Sequence, residues 1–282
     1  MTQENGLSAL EITDFPIDDD CVGAKWIVEN DDQLSKLIAI VVMGQAAQAA
    51  YIIDELIPAA PAFTNEALQS EAIIKFTVQE EKQTPRVGYP RHQRDGLIFE
   101  IISWIAAKQI AGDKCYLKDP HISATSQGLD GIMIQLSEDS SQIEKSIIFE
   151  DKCTEHPRDT FRENVIPGFV DRHSNTRNAE LIAAAASLIQ LSGIATPQAM
   201  QMVSRVLDNS YRHYRAAFAL TDKYDNEKAR KGLFKGYNSL EGINQSQRIG
   251  ASLIVEGELR DWFDLIAIKI IGYIQEIEEV QA

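Results

Sequence analysis

Residues 130–136 read DGIMIQL and residues 146–153 read SIIFEDKC, and these two stretches decide the architecture. Each is a run of β-branched and apolar residues, and the polar segment SEDSSQIEK separates them, the pattern of an antiparallel strand pair. Side chains alternate between the faces of a strand, so Glu150 and Lys152 share one face while Ile147, Phe149 and Asp151 share the other. Asp130 opens the first strand, 20 residues before Glu150. A hairpin folds its carboxylate back alongside Glu150, and the flanking Gly128 and Gly131 permit unusual backbone there. A carboxylate and an ammonium carried by an otherwise apolar strand are costly to bury unless they pair or hold a metal.

Working outward, residues 95–111 (DGLIFEIISWIAAKQIA) place apolar side chains at 97, 98, 101, 102 and 105, one buried helical face. Gly112 and Asp113 stop that helix, and a short strand follows over 114–118. Beyond the hairpin the pattern predicts helices over 158–170, 176–190 and 197–207. Strands follow over 214–220 and 248–255, then a closing helix over 258–277. Upstream, strands are expected over 10–15 and 24–29, and a helix over 32–56 that the proline-rich run PAAPAF ends. A further helix starts at Asn65 with Thr64 as its cap. The polar stretch 80–94 marks a boundary between an N-terminal α/β region (1–90) and a second region (91–282). The fold class is α/β, a central mixed sheet flanked by helices.

The chain has 282 residues, 44% hydrophobic and 24% charged, enough apolar content for a sizeable core. Cys21, Cys115 and Cys153 form no CxxC and no zinc-finger spacing, which points to a reducing cytoplasm rather than a disulfide framework. The opening MTQENGLSALEITDF has neither a basic nor an apolar leader segment. The most apolar run, LSKLIAIVVMGQAAQAA at 34–50, is interrupted by Lys36, Gln45 and Gln48 and falls short of the ~20 residues of a membrane span, so it reads as a buried helix. No phosphate-binding GxxxxGK[ST], no GxGxxG and no GxSxG occurs. The net charge of −15 is unusual for a protein that grips nucleic acid unaided. A nucleic-acid substrate therefore requires local basic patches or a partner that delivers the strand.

Hydrolysis of a phosphodiester needs a deprotonated water, a neutralised transition state and a stabilised leaving oxygen, and Mg²⁺ can supply all three. Two or three converging carboxylates suffice to hold it, and Asp130 with Glu150 offers them, with Lys152 beside the pair. This arrangement, Asp130 followed by Glu150-Asp151-Lys152 on the next strand with a helix before both, resembles the PD-(D/E)XK nuclease superfamily. The resemblance implies a restriction-endonuclease-like sheet, metal-binding roles for Asp130 and Glu150, a water-activating role for Lys152, and Mg²⁺ as cofactor with Mn²⁺ as a substitute. Members often add a glutamate from the preceding helix, and Glu100 is the matching metal candidate. The chain departs from the pattern in having Leu129 where the superfamily name has proline. More narrowly, RDGLIFEIISW, GLDGIMI and IIFEDKC together are similar to the HamA-type proteins of the Hachiman anti-phage defence system, over residues 90–282. That similarity implies DNA cleavage in company with a superfamily 2 helicase (HamB-type), a partner able to provide the grip that the acidic chain lacks.

Several residues carry two readings. Asp151 faces away from the triad, and a capping or surface role suits it better than a catalytic one. Glu100 lies at the margin of its helix's apolar face, beside Leu97 and Trp104, either as a metal ligand or as a flanking surface residue. Arg158, Arg162, Arg172 and Arg177 either line a DNA path or pair with Glu155, Asp159, Glu163 and Glu180 along helix faces. Pairing is favoured for most, with Arg177 the best phosphate contact. His156 and His173 lack companions at ligand spacing. The run YRHYRAAF at 211–218 suits either a single-strand-binding surface or a partly buried strand with exposed arginines. Two functions follow: a metal-dependent DNase in a defence complex, or a catalytically silent acidic subunit that regulates a helicase.

Overall fold

A computed structural model describes residues 7–125, 128–176 and 178–277. Strands β1 (Leu10–Asp14) and β2 (Val22–Val28) come first, then helices α1 (Asp31–Val42), α2 (Ala46–Glu55), α3 (Glu66–Phe76) and α4 (Arg91–Gln109). Next are β3 (Cys115–Leu117), β4 (Gly131–Leu136) and β5 (Ile143–Cys153). Helix α5 (Pro157–Thr160) runs through a π turn (Phe161–Val165) into α6 (Ile166–His173), followed by α7 (Asn178–Leu191) and α8 (Thr196–Val203). The chain closes with β6 (Arg212–Thr221), α9 (Glu227–Phe234), β7 (Arg248–Val255) and α10 (Leu259–Glu276).

All seven strands join one mixed sheet in the order β1-β2-β7-β6-β5-β4-β3. Its centre is parallel (β2/β7, β7/β6, β6/β5) and both margins are antiparallel. A parallel centre has helices on both faces and must be apolar on both, and β6 meets that demand. Ala217 and Ala219 pack with α1, α2, α4 and α10, whereas Tyr214, Ala216, Phe218 and Leu220 pack with the layer built by residues 157–240. The architecture is the expected mixed sheet flanked by helices.

Details differ from the sequence reading. The helix expected over 32–56 is two, because Gly44 adopts φ +82° and breaks the run between α1 and α2. Asn65, not Thr64, caps α3: its side chain accepts from Leu68 N at 3.0 Å, while the Thr64 hydroxyl is buried against the Met43 sulfur. The boundary at residue 90 does not separate two cores. Val22 pairs with Ile249, and Trp26 packs on Phe99 of α4, so both sides of residue 90 share one sheet and one apolar cluster. Within the quoted RDGLIFEIISW stretch, buried Arg94 and Asp95 clamp α4 to α10. Arg94 reaches Asp264 at 2.6 Å, and Arg260 reaches Asp95 at 2.6 Å. Among the described residues no helix is long and apolar enough to cross a membrane.

Candidate active site

The β4–β5 hairpin forms as expected, with Ile132 opposite Ile148 and Gly131 opposite Phe149. One further step of that register sets Asp130 opposite Glu150, on the face that Glu150 shares with Lys152. Glycine is required beside it: a Cβ on Gly131 would lie 2.5 Å from the Phe149 ring. Gly128 takes φ +128°, a conformation L side chains rarely adopt.

The triad residues meet. Lys152 Nζ lies 3.0 Å from Asp130 Oδ2 and 3.0 Å from Glu150 Oε2. The backbone N–H of Asp151 donates to the same Asp130 oxygen at 2.8 Å, fixing that carboxylate against the strand end. The other Glu150 oxygen accepts from Arg172 Nη1 at 2.9 Å. Arg172 stands on α6, buried, and its Nη1 also donates to the Gly168 carbonyl at 3.3 Å. Arg212 supports this arginine from behind by donating to the Arg172 carbonyl at 2.6 Å. Two carboxylates are thus matched by two cations in a half-buried cluster at the C-terminal end of β5. Burial alone would lower the Lys152 pKa, but the adjacent Asp130 and Glu150 outweigh it and hold the ammonium above its ordinary value. As arranged, Lys152 is a hydrogen-bond donor and a positive charge between the two carboxylates.

Glu100 is not part of this contact. It belongs to α4, on the opposite face of β5 from Glu150 and Lys152. Its Oε1 accepts from His121 N at 2.8 Å and lies 2.9 Å from His121 Nδ1. His121 Nε2 in turn lies 3.4 Å from Lys118 Nζ, which donates to the Leu129 carbonyl. Asp151 does face away from the triad, but it is buried, not a surface or capping residue. Its Oδ1 lies 3.4 Å from Arg215 Nη2, and Ser103 also bonds it. Burial pushes its carboxyl up to about 7, partly opposed by Arg215 and reinforced by the Asp130 and Glu100 charges.

The other basic residues divide. Arg162 pairs with Asp159 at 3.2 Å and with Glu163, as helix-face pairing predicts. Arg158 instead donates to the Leu233 and Lys235 carbonyls. Arg177 lies outside the described residues. His173 is a structural bridge, with Nδ1 3.1 Å from Tyr214 Oη and Nε2 2.8 Å from the Glu241 carbonyl. Residues 211–218 are no binding surface: both Arg212 and Arg215 are buried. Arg172 is the site residue that sequence reasoning missed as such. Its signal was its position, since Phe161, Val165 and Phe169 form a buried stripe that continues at 172.

Asp130 and Glu150 supply hard oxygen donors that converge on one cationic point, a donor set that fits Mg²⁺, which keeps several waters and needs few carboxylates. The set is not a closed cage. Among the described residues no group of three or more His, Cys, Asp or Glu is spaced to hold a metal. The chain matches no family model, no curated protein and no solved structure.

Proposed function

We propose that the chain is a metal-dependent nuclease that cleaves DNA phosphodiester bonds with Asp130, Glu150 and Lys152 as its reaction centre. The observation that carries this reading is the Lys152 ammonium held 3.0 Å from each of two carboxylates at one strand end. Asp130 and Glu150 would hold Mg²⁺, or Mn²⁺ in its place, which when bound supplies Lewis acidity and an acidified water. Lys152, kept charged by its neighbours, donates to the attacking water or to a non-bridging phosphate oxygen as negative charge grows there. Arg172 orients Glu150 and neutralises part of its charge. The net charge of −15 favours a helicase partner that brings the DNA, as in an anti-phage defence complex. Three free cysteines suit a cytoplasmic setting.

A second reading, a silent acidic subunit of a helicase complex, draws on one observation: both carboxylates are already satisfied by Lys152 and Arg172. Cleavage of plasmid and linear DNA with Mg²⁺ or Mn²⁺, with and without the helicase, separates the two. The nuclease reading expects metal-dependent cleavage that Glu150→Ala/Lys152→Ala reduces by at least about a hundredfold. No cleavage under any of these conditions, with helicase binding intact, selects the silent subunit.

A further inference from the structure

Strands β2 and β7 run parallel and end side by side, and a groove of about 730 Å³ lies between their ends and α10. Its wall is apolar, with Ile27 and Val28 from β2, Ile254 from β7, and Trp262 and Leu265 from α10. Helix α10 is apolar on two sides. Phe263, Ala267, Ile270 and Ile274 belong to the core, while Trp262, Leu265 and Lys269, at i, i+3 and i+7, form a second face along the groove. Leu265 is 61% exposed, Ile268 one turn on is 65% exposed, and Ile27 is exposed opposite them. Large apolar side chains gathered in one exposed patch mark a contact surface.

The rim of this patch is acidic. Glu29, Asp31 and Glu256 line the groove with one cation, Lys269, which Asp31 already holds. Glu29 and Glu256 are exposed and, among the described residues, make no ion pair. No buried polar atom lining the groove lacks a partner among the described residues, so nothing in it selects a small polar ligand. A second copy of the chain fits poorly, because a two-fold contact would set this rim against itself in a chain of net charge −15. Residues 1–6 (MTQENG) and 278–282 (EEVQA) fit no better, since they hold acids and no lysine or arginine. The edges of β2 and β7 are taken by β1, by each other and by β6, so the groove offers side chains and not a strand edge.

We propose that this groove docks an amphipathic helix of a partner protein, its apolar side chains against Ile27, Trp262 and Leu265 and its lysines or arginines toward Glu29 and Glu256. Helix-in-groove recognition draws its affinity from a few inserted apolar anchors, while the charged rim fixes partner choice. This rests on the reading that the chain works with a helicase, and it names the surface that the helicase takes.

The test is calorimetric titration of the full chain with the helicase. The expected result is a Kd below about 1 μM for the wild type. Leu265→Asp/Ile268→Asp should bind at least about a hundredfold more weakly, with the thermal melt preserved because both positions are exposed. Glu29→Lys/Glu256→Lys should bind about tenfold more weakly and lose much of the wild type's salt dependence. Leu191→Asp, at an apolar side chain 74% exposed on α7, should bind as the wild type does. Tight binding that Leu265→Asp/Ile268→Asp leaves intact would overturn the docking site while the helicase partnership stands. No binding by the wild type would remove both. An equal loss in Leu191→Asp, or no effect of Glu29→Lys/Glu256→Lys, would also overturn the proposal. So would self-association of the wild type that Leu265→Asp/Ile268→Asp abolishes, which would give the groove to a second copy.

Discussion

On one face of β5, Glu150 and Lys152 stand in a cluster where every charge has an opposite partner at 3.0 Å or less. On the other face, Asp151 meets Arg215 only at 3.4 Å, and that arginine keeps an unpartnered nitrogen. One backbone and three consecutive residues thus deliver carboxylates into two unlike settings. The front cluster is half-exposed and charge-balanced, so its ions persist. The back pair is dry and loosely matched, so its carboxyl is pushed toward the neutral form. Charged residues on a strand therefore have no meaning by type alone, and their alternation decides it.

The largest effect expected is on the front face. Arg172→Ala leaves a Glu150 oxygen without its buried counter-charge and should cost about 3–5 kcal/mol, read as a fall in the denaturation midpoint. Arg162→Ala, removing exposed pairs to Asp159 and Glu163, should cost at most about 1 kcal/mol and serves as the control. Equal effects would mean that the Glu150–Arg172 contact contributes no more than a surface pair. Gly131→Ala strikes the back face instead. Its Cβ would press on the Phe149 ring, which is held from its other side by Arg215, and a loss of about 1–3 kcal/mol is expected. A melt unchanged from the wild type would show the aromatic packing to be looser than drawn.

The effect spread over the widest range of conditions is a pH dependence. Burial, and after it the charge of Lys145, pushes the His213 pKa down to about 4. The unfolded chain binds a proton near its ordinary value of about 6.5, before the folded chain does. Stability from this group is therefore full above about 6.5 and is lost as pH falls toward 4, with a slope of at most about one proton. His213→Asn should flatten stability over that window, measured by denaturant titration at several pH values. An identical slope in the variant would assign the proton elsewhere.

The hairpin, its alternation and the Asp130–Glu150–Lys152 meeting were legible because each rests on local pattern: β-branched runs, a polar connection, a two-residue period. What was not legible depends on distant chain. Arg172 reaches Glu150 from a helix 22 residues on, and although the stripe of Phe161, Val165 and Phe169 marks its position as buried, nothing near it in sequence names Glu150 as its partner. Asp151 reads as exposed until β6 supplies Arg215 and α4 supplies Ser103. Glu100 sits on the helix expected to carry it, yet its carboxylate turns to His121, in an irregular stretch that no periodicity describes. The single sheet across residue 90 is invisible for the same reason, since β2 and β7 lie at opposite ends of the chain.

That last pairing has a consequence for biosynthesis. Val22 waits for Ile249, made 227 residues later, which at ordinary elongation rates is a delay of roughly 10–45 s. Throughout that interval one edge of β2 stands open, with its hydrogen-bonding groups unclaimed. The sheet closes last at its centre, when β7 arrives between β2 and β6. Each newly made chain must therefore keep its first hairpin from other sheet edges until its own C-terminal quarter emerges.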